Sequence, residues 1–309
     1  MVAARVPHSF ELYPPRSAAT AAALPSVVDA LAATEPAWFS VTYGAAGSTT
    51  EASYDVARLV LDRTDVDVMA HLTCVGSSHA EAAALVQRFL AAGVRRFLAI
   101  RGDLVEGRPL GDIHSAAELV QLVHRVLADR EQWAERAVPE ARGVRTLHVQ
   151  PPRADVTVAA FVNGHPDSRT PTDHLDALLA KQVAGAEMAI TQLFFHTEDY
   201  VTFVEQARRW GITIPIVPGI LPITSPARLR RMLELSGEDE PRELAVALDT
   251  EPTVEGRREV GIAHAARFAN DLIAAGAPVL HLYTFNQAGA VLDVLHRIGF
   301  TPAPTKETT

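Results

Sequence analysis

The stretch Ser9-Phe10-Glu11-Leu12-Tyr13, which ends at Pro14-Pro15, has the composition of a short β-strand with one residue out of place. Its apolar residues favour a strand, and the double proline ends it. Glu11 is the exception, because a carboxylate in an apolar strand must point to solvent or into a polar cavity. Burial would raise its pKa until it holds a proton near neutral pH, as a general acid must. For this residue alone, a solvated glutamate is the more common arrangement.

Composition limits the classes of protein that this chain can belong to. The 309 residues are 48% hydrophobic and carry a net charge of −9, which argues against a nucleic-acid partner. No run approaches the roughly 18 apolar residues of a membrane span, and residues 1–8 lack the apolar core of a signal peptide. Cys74 is the only cysteine, so neither an intrachain disulfide nor a thiolate metal cluster is expected. We expect a soluble cytoplasmic protein, and its oligomeric state is left open.

Strand-like apolar runs alternate with runs of helical period along the whole chain. The predicted strands cover 9–13, 38–43, 66–74, 96–100, 156–162, 188–195, 214–221 and 278–285. The predicted helices cover 17–33, 50–63, 78–92, 115–136, 172–184, 199–210, 225–235 and 254–275, with a last helix over 287–298. Several of these strands are almost continuously apolar, which is typical of parallel strands covered on both faces.

Eight strand–helix units predict a single (β/α)₈ TIM barrel over residues 1–300, with a disordered tail over 301–309. An open doubly wound sheet is the competing fold, but no Gly-x-Gly-x-x-Gly follows the first strand and no P-loop sequence occurs. Residues 128–154 interrupt the rhythm before the fifth strand and contain a possible short strand over 146–149. We place this insertion at the N-terminal face of the barrel, away from the usual active site.

Polar residues follow most of the predicted strands, where the active face of a barrel forms. They are Thr42, Tyr43, His71, Thr73, Arg101, Gly102, Asp103, Asn163, Gly164, His165, Thr191, Gln192, Tyr283, Thr284 and Asn286. Each has an ordinary structural explanation by itself, but their placement on one rim predicts a binding site. No His-Glu-x-x-His and no Gly-x-Ser-x-Gly occurs, so we expect no metal and no serine nucleophile.

Seven ordered motifs carry a family resemblance from about residue 8 to residue 298. They are the segments 9–16, 40–45, 71–74, 100–103, 190–195, 218–222 and 283–286. Together they resemble the 5,10-methylenetetrahydrofolate reductase family. The resemblance implies a (β/α)₈ barrel that reduces methylenetetrahydrofolate to 5-methyltetrahydrofolate with electrons from NADH or NADPH, usually through FAD.

The resemblance also implies roles for particular residues. Glu11 matches the general acid, Asp103 an aspartate beside flavin and folate, and Gln192 a residue that hydrogen-bonds the substrate. The positions that match flavin-holding residues are Thr42, His71, Arg101, Gly102, Asp103, Ala116, Phe161, His165 and Lys181. The positions that match folate contacts are Gln192, Met232, Tyr283 and Gln287.

The departures from the family pattern fall mostly on residues that hold flavin or the substrate tail. Ser115 and Phe161 stand where the family commonly has tyrosines against the flavin, and His174 stands where it has an aspartate. Met232 replaces an aromatic residue and Gln287 an arginine. We therefore predict weak or absent FAD. Two alternatives remain: a related flavin-dependent barrel such as a proline dehydrogenase, and a folate-binding barrel without turnover.

Overall fold

The structure is a computed structural model that describes residues 6–43, 50–73, 76–102, 111–130, 134–140, 143–149, 154–165 and 168–300. Asp103, Cys74 and the predicted tail over 301–309 lie outside the described residues.

The strands of the described chain form one large parallel sheet and one separate hairpin. In chain order they are β1 (His8–Leu12), β2 (Phe39–Val41), β3 (Val68–Thr73), β4 (Arg96–Ile100), β5 (Ala134–Glu140), β6 (Gly143–Val149), β7 (Asp155–Ala160), β8 (Met188–Thr191), β9 (Ile216–Val217), β10 (Gly219–Ile220) and β11 (Leu280–Tyr283).

The large sheet closes into a barrel. Its order is β10-β11-β1-β2-β3-β4-β7-β8-β9, and every neighbouring pair is parallel. The strands β9 and β10 are consecutive halves of one strand interrupted at Pro218, which lacks the N–H group needed for the ladder. These two halves stand at opposite ends of the strand order. Counted as one strand, they join the two edges of the sheet, which therefore closes on itself with eight strands. The predicted (β/α)₈ barrel is confirmed.

Helices follow the strands and cover the outside of the barrel. They are α1 (Ala18–Ala32), α2 (Thr50–Arg63), α3 (His79–Ala92), α4 (Ala116–Arg130), α5 (Asp173–Val183), α6 (Thr197–Arg209), α7 (Pro226–Ser236), α8 (Arg242–Thr250), α9 (Val254–Ala274) and α10 (Ala288–Arg297). Local signals start several of them. Ser17 and Ser78 form capping boxes, and Ser225 followed by Pro226 begins α7. The helix α8 was not among the predicted elements.

The insertion before β7 differs from its prediction. The helix α4 ends at Arg130 instead of continuing to 136, and β5 pairs with β6 as an antiparallel hairpin where one short strand was expected. The segment 134–140 contains Pro139, whose missing N–H and ring are incompatible with a helix interior. In the chain, the hairpin lies between α4 and β7.

Alternation along β1 decides which way Glu11 points. Phe10 and Leu12 belong to the apolar core between strands and helices, so Ser9 and Glu11 face the inside of the barrel. Deep inside, a separate apolar cluster around Trp38 and Met69 fills the barrel. The Ser9 layer also contains buried His281, whose Nδ1 is hydrogen-bonded to Ser9 Oγ at 2.8 Å. Glu11 lies one layer nearer the carboxyl ends of the strands.

Candidate active site

The segment that follows β11 holds the end of β1 in place. Thr284 Oγ1 donates to the Glu11 carbonyl oxygen at 2.6 Å. Asn286 Nδ2 donates to the Tyr13 carbonyl at 2.8 Å, and its Oδ1 accepts from the Tyr13 N–H at 3.1 Å. Phe285 and Asn286 have φ values of 48° and 53°, which place both in the left-handed region. These bonds position the backbone of Glu11 independently of its carboxyl group.

A cavity of about 190 Å³ opens at the carboxyl ends of the strands. A water molecule needs only about 10–15 Å³ of such space, so the cavity accommodates an organic ring. Its lining is Glu11, Tyr13, Gln192, Leu193, Leu221, Met232, Leu235, Ser236, Tyr283 and Phe285.

Four of the predicted site residues share this cavity: Glu11, Gln192, Met232 and Tyr283. The other six lining residues were not among the predicted site residues. Phe285 and Leu221 lie inside motifs that were noted, so their sequence position was an available signal. Leu235 and Ser236 gave no such signal in the sequence, because only the packing of α7 over the barrel brings them to the cavity.

Glu11 has the electrostatics of a proton donor. Its side chain is 23% exposed, and burial raises its pKa to about 8. The carboxyl Oε2 lies 3.7 Å from His71 Nε2. Burial lowers the pKa of His71 to about 3, so this imidazole is neutral at pH 7 and does not stabilise a carboxylate as a cation would. Glu11 is therefore mostly protonated at neutral pH and can give its proton to a ligand in the cavity.

The raised pKa of Glu11 is expected to make the fold less stable as the pH rises. The folded chain holds this proton up to about pH 8, whereas an ordinary glutamate releases it near 4.5. Stability should therefore fall progressively between these pH values. Glu11→Gln cannot ionise, so it should raise the free energy of unfolding by up to a few kcal/mol at about pH 9 and by little at about pH 4.5. Denaturant titrations at both pH values measure this difference.

The exposed Glu205→Gln on α6 is the matched control, and its effect should be small at both pH values. An equal effect of Glu11→Gln at both pH values would contradict the buried, protonated state of Glu11.

Most of the predicted cofactor residues lie at the ends of β2, β3, β4 and β7, whereas Ala116 and Lys181 belong to α4 and α5. Thr42 Oγ1 and His71 Nε2 are buried and have no hydrogen-bond partner among the described residues. Lys181 Nζ donates to the Ala159 carbonyl at 2.8 Å, and its pKa is lowered to about 8 by burial and then by the charge of Arg101. Gly102 has a φ of 84°, and Ala116 is the first residue of α4. Asp103 cannot be placed, because it lies outside the described residues.

These residues fit a flavin only in part. Buried polar atoms without partners are available for a polar ligand, and Phe161 is half-buried in an edge-on contact with His165 at 4.5 Å between ring centres. Ser115, in contrast, caps α4, since its Oγ accepts from the Glu118 N–H at 3.2 Å. A serine held in this way offers no wall for an aromatic ring. The geometry therefore lacks one of the two expected stacking surfaces.

Two further predicted positions have local partners. Gln287 precedes α10 and accepts a 3.4 Å hydrogen bond from Arg228 Nη2; it is not among the residues that line the cavity. Arg228 also lies 5.3 Å above the ring of Phe285, which does line it. His174 stacks on Phe203 at 5.8 Å between ring centres.

Among the described residues, no three histidine, cysteine, aspartate or glutamate side chains gather as a metal ion would require. Within the same residues, each helix falls short of the length and apolar character that crossing a bilayer demands.

The closed barrel and the protonated acid at its mouth define the chain as a (β/α)₈-barrel protein with an enzyme-like site. The family model for methylenetetrahydrofolate reductase matches residues 2–299. The chain therefore belongs to the methylenetetrahydrofolate reductase family and is an oxidoreductase, as the motifs predicted.

Curated relatives agree with this assignment. The chain is 30% identical to the 5,10-methylenetetrahydrofolate reductase of Pectobacterium carotovorum over 96% of its own length and 92% of the relative's. It is 29% identical to the Escherichia coli K12 enzyme of the same name, over 95% and 91%. It is 28% identical to methylenetetrahydrofolate reductase (NADH) 1 of Zea mays, over 96% of this chain and 48% of that one.

Among solved structures, a protein from Clostridium thermocellum described as binding two copies of 5-methyl-5,6,7,8-tetrahydrofolic acid is similar in fold. Its TM-score is 0.60 at 11% identity, over 94% of this chain and 93% of that one. At this identity the likeness supports the barrel fold alone.

Proposed function

We propose that this chain reduces 5,10-methylenetetrahydrofolate to 5-methyltetrahydrofolate, with Glu11 as the general acid and NADH or NADPH as the source of the hydride. The observation that carries the proposal is a protonated carboxylic acid in the wall of a mainly apolar cavity, in a chain of the methylenetetrahydrofolate reductase family. The relative from Zea mays, whose name specifies NADH, favours NADH over NADPH.

The reaction needs one proton and one hydride. Glu11 protonates one of the two ring nitrogens that hold the methylene carbon. The bond between that nitrogen and the methylene carbon then breaks, and the methylene carbon forms an iminium cation with the other nitrogen. Bound NAD(P)H would supply the hydride that reduces that carbon to the methyl group, leaving NAD(P)⁺. A carboxylic acid whose pKa lies near the working pH suits the first step, because it is both protonated and ready to release the proton.

Gln192 supports a folate-like ligand in this cavity. Its Oε1 accepts a hydrogen bond from the Leu193 N–H at 2.8 Å, which fixes the orientation of the amide. The amide nitrogen then remains to donate to a polar edge of the ligand, while Leu193, Leu221 and Met232 cover its apolar faces. We propose that the charge of Asp103 also contributes to this reaction; that role rests on the sequence motif.

Turnover distinguishes this proposal from its alternatives. Purified protein is incubated with methylenetetrahydrofolate and NADH, and oxidation of NADH is followed together with formation of 5-methyltetrahydrofolate. Stoichiometric formation of the two products supports the proposal. Folate binding without turnover would favour a binding barrel, and oxidation of proline with reduction of flavin would favour a proline dehydrogenase.

FAD is expected to bind weakly or not at all. Because Ser115 caps α4 and only Phe161 remains as an aromatic wall, the loss of one stacking surface should cost about 1–3 kcal/mol, or one to two decades in affinity. The protein should be colourless when purified without added flavin. Hydride transfer directly from nicotinamide to folate requires both ligands together, so initial rates should show a sequential pattern.

Reconstitution provides the control for this prediction. Protein incubated with excess FAD and then desalted should lose the flavin, and added FAD should not change the rate. A yellow protein with stoichiometric FAD and parallel-line kinetics would contradict the prediction and would indicate that Phe161 alone suffices to hold the ring.

A further inference from the structure

His71 lies on β3 and faces the inside of the barrel, where its residue surface is only 5% exposed. The strand β2 separates β3 from β1, and the side chains of His71 and Glu11 approach each other across it. Their closest atoms are His71 Nε2 and Glu11 Oε2, at 3.7 Å. His71 Nε2 is buried and has no hydrogen-bond partner among the described residues. A buried nitrogen of this kind is costly unless it gains a partner.

The titratable groups of β11 that face Glu11 or lie just below it are already engaged. Tyr283 is the register partner of Glu11 on β11, but its hydroxyl donates to the Thr191 carbonyl at 2.8 Å. His281 lies one layer deeper, where Ser9 Oγ and Ser40 Oγ lie 2.8 and 3.4 Å from its two ring nitrogens. Of the titratable groups that the structure describes around Glu11 on β3 and β11, His71 alone has an unused hydrogen-bonding position pointing at the carboxyl group.

We propose that His71 is a positioning residue for Glu11: its neutral imidazole donates a hydrogen bond from Nε2 to Oε2 and so turns the protonated Oε1 toward the cavity. This inference rests on the proposed role of Glu11 as the proton donor. A contraction of about half an ångström brings 3.7 Å into the hydrogen-bonding range. Catalytic hydrogen bonds are often long without ligand and shorten when substrate binds.

The proposed bond has a second consequence after the proton has left. The N–H group of His71 then stabilises the Glu11 carboxylate without placing a positive charge beside it. A cationic histidine would lower the pKa of Glu11 and remove the acid at neutral pH. Burial keeps His71 neutral and thus compatible with a protonated partner.

Two substitutions separate the hydrogen bond from the volume of the side chain. His71→Leu has a similar size but no donor, whereas the amide nitrogen of His71→Gln reaches about as far as Nε2. Titration of Glu11 is followed in the ligand-free protein by ¹³C NMR of labelled glutamate carboxyl groups, and its resonance is assigned by its loss in Glu11→Gln. This measurement does not depend on turnover.

We expect the titration midpoint of Glu11 to rise by about one pH unit in His71→Leu and to return close to the wild-type value in His71→Gln. The pH at which kcat for folate reduction falls on the alkaline side should also rise in His71→Leu. The maximal kcat should fall at least about tenfold in His71→Leu but not in His71→Gln. Thermal unfolding of both variants shows whether either loses its fold.

The same Glu11 titration in wild type and His71→Leu would overturn the proposal. Equal effects of Leu and Gln would also overturn it, because volume alone would then explain them. A change confined to nucleotide or flavin affinity would instead assign His71 to the cofactor. If Glu11→Gln reduces folate at the wild-type rate, the proposed function of Glu11 fails, while the NMR titration still tests the contact between the two side chains.

Discussion

Glu11→Gln is expected to reduce folate turnover by about 10²–10⁴-fold, the usual contribution of a general acid. Glutamine keeps the size of the side chain and its place in the cavity wall, but its amide can only donate a hydrogen bond and is too weak an acid to transfer a proton to a ring nitrogen. The backbone of Glu11 is held by Thr284, so the fold of the site should persist. Steady-state rates with saturating folate and NADH measure the effect.

Two controls make this result specific. Glu205→Gln, on the exposed surface of α6, should leave turnover unchanged. Folate should still bind to Glu11→Gln with an affinity close to that of the wild type, because the acid is needed for ring opening and not for the apolar contacts. Turnover of methylenetetrahydrofolate near the wild-type rate in Glu11→Gln would refute the assignment of the acid.

Gly219→Ala is expected to damage both the fold and the cavity. A β-carbon at this position on β10 would lie 2.6 Å from Tyr283 Cε2 and 2.7 Å from the Thr191 carbonyl oxygen. The carbonyl belongs to the neighbouring strand β8 and cannot move freely, so the Tyr283 ring must shift and its hydrogen bond to Thr191 must break. Overpacking of this kind costs about 1–3 kcal/mol. Since Tyr283 lines the cavity beside Glu11, folate turnover should fall about tenfold or more.

The matched control is Gly289→Ala in α10. The nearest heavy atom to its added β-carbon is Arg258 Nη2 at 3.5 Å, an ordinary contact with a flexible side chain. Alanine is the better helix former by up to about 1 kcal/mol, so this variant should be as stable as the wild type or slightly more stable. Urea titrations and folate kinetics on both variants test the pair. Unchanged stability and kinetics in Gly219→Ala would show that the close packing around Tyr283 is not required.

The barrel could be predicted because its strands carry their own signal. Runs such as 66–74 and 214–221 are apolar on both faces of the strand. A parallel sheet covered by helices on its outside and by a packed interior buries both of these faces. The elements that prediction missed have weaker signals. The nine-residue α8 is stabilised because Leu244, Ala245 and Leu248 join an apolar cluster with residues such as Leu221 and Leu229, and not by its own length. The β5–β6 hairpin forms because two segments pair, which neither segment indicates alone.

The sequence by itself determined that a carboxylate, Glu11, stands in an apolar first strand and must point either to solvent or into a polar cavity. The structure chose the cavity: Phe10 and Leu12 face the helical shell, and alternation along the strand then sends Ser9 and Glu11 inward. Only the tertiary structure decided what Glu11 meets there. His71 and Tyr283 come from β3 and β11, and the closed barrel brings them beside the carboxyl group. The pKa of about 8 depends on that neighbourhood, because it follows from the loss of water around Glu11 and not from the identity of the residue.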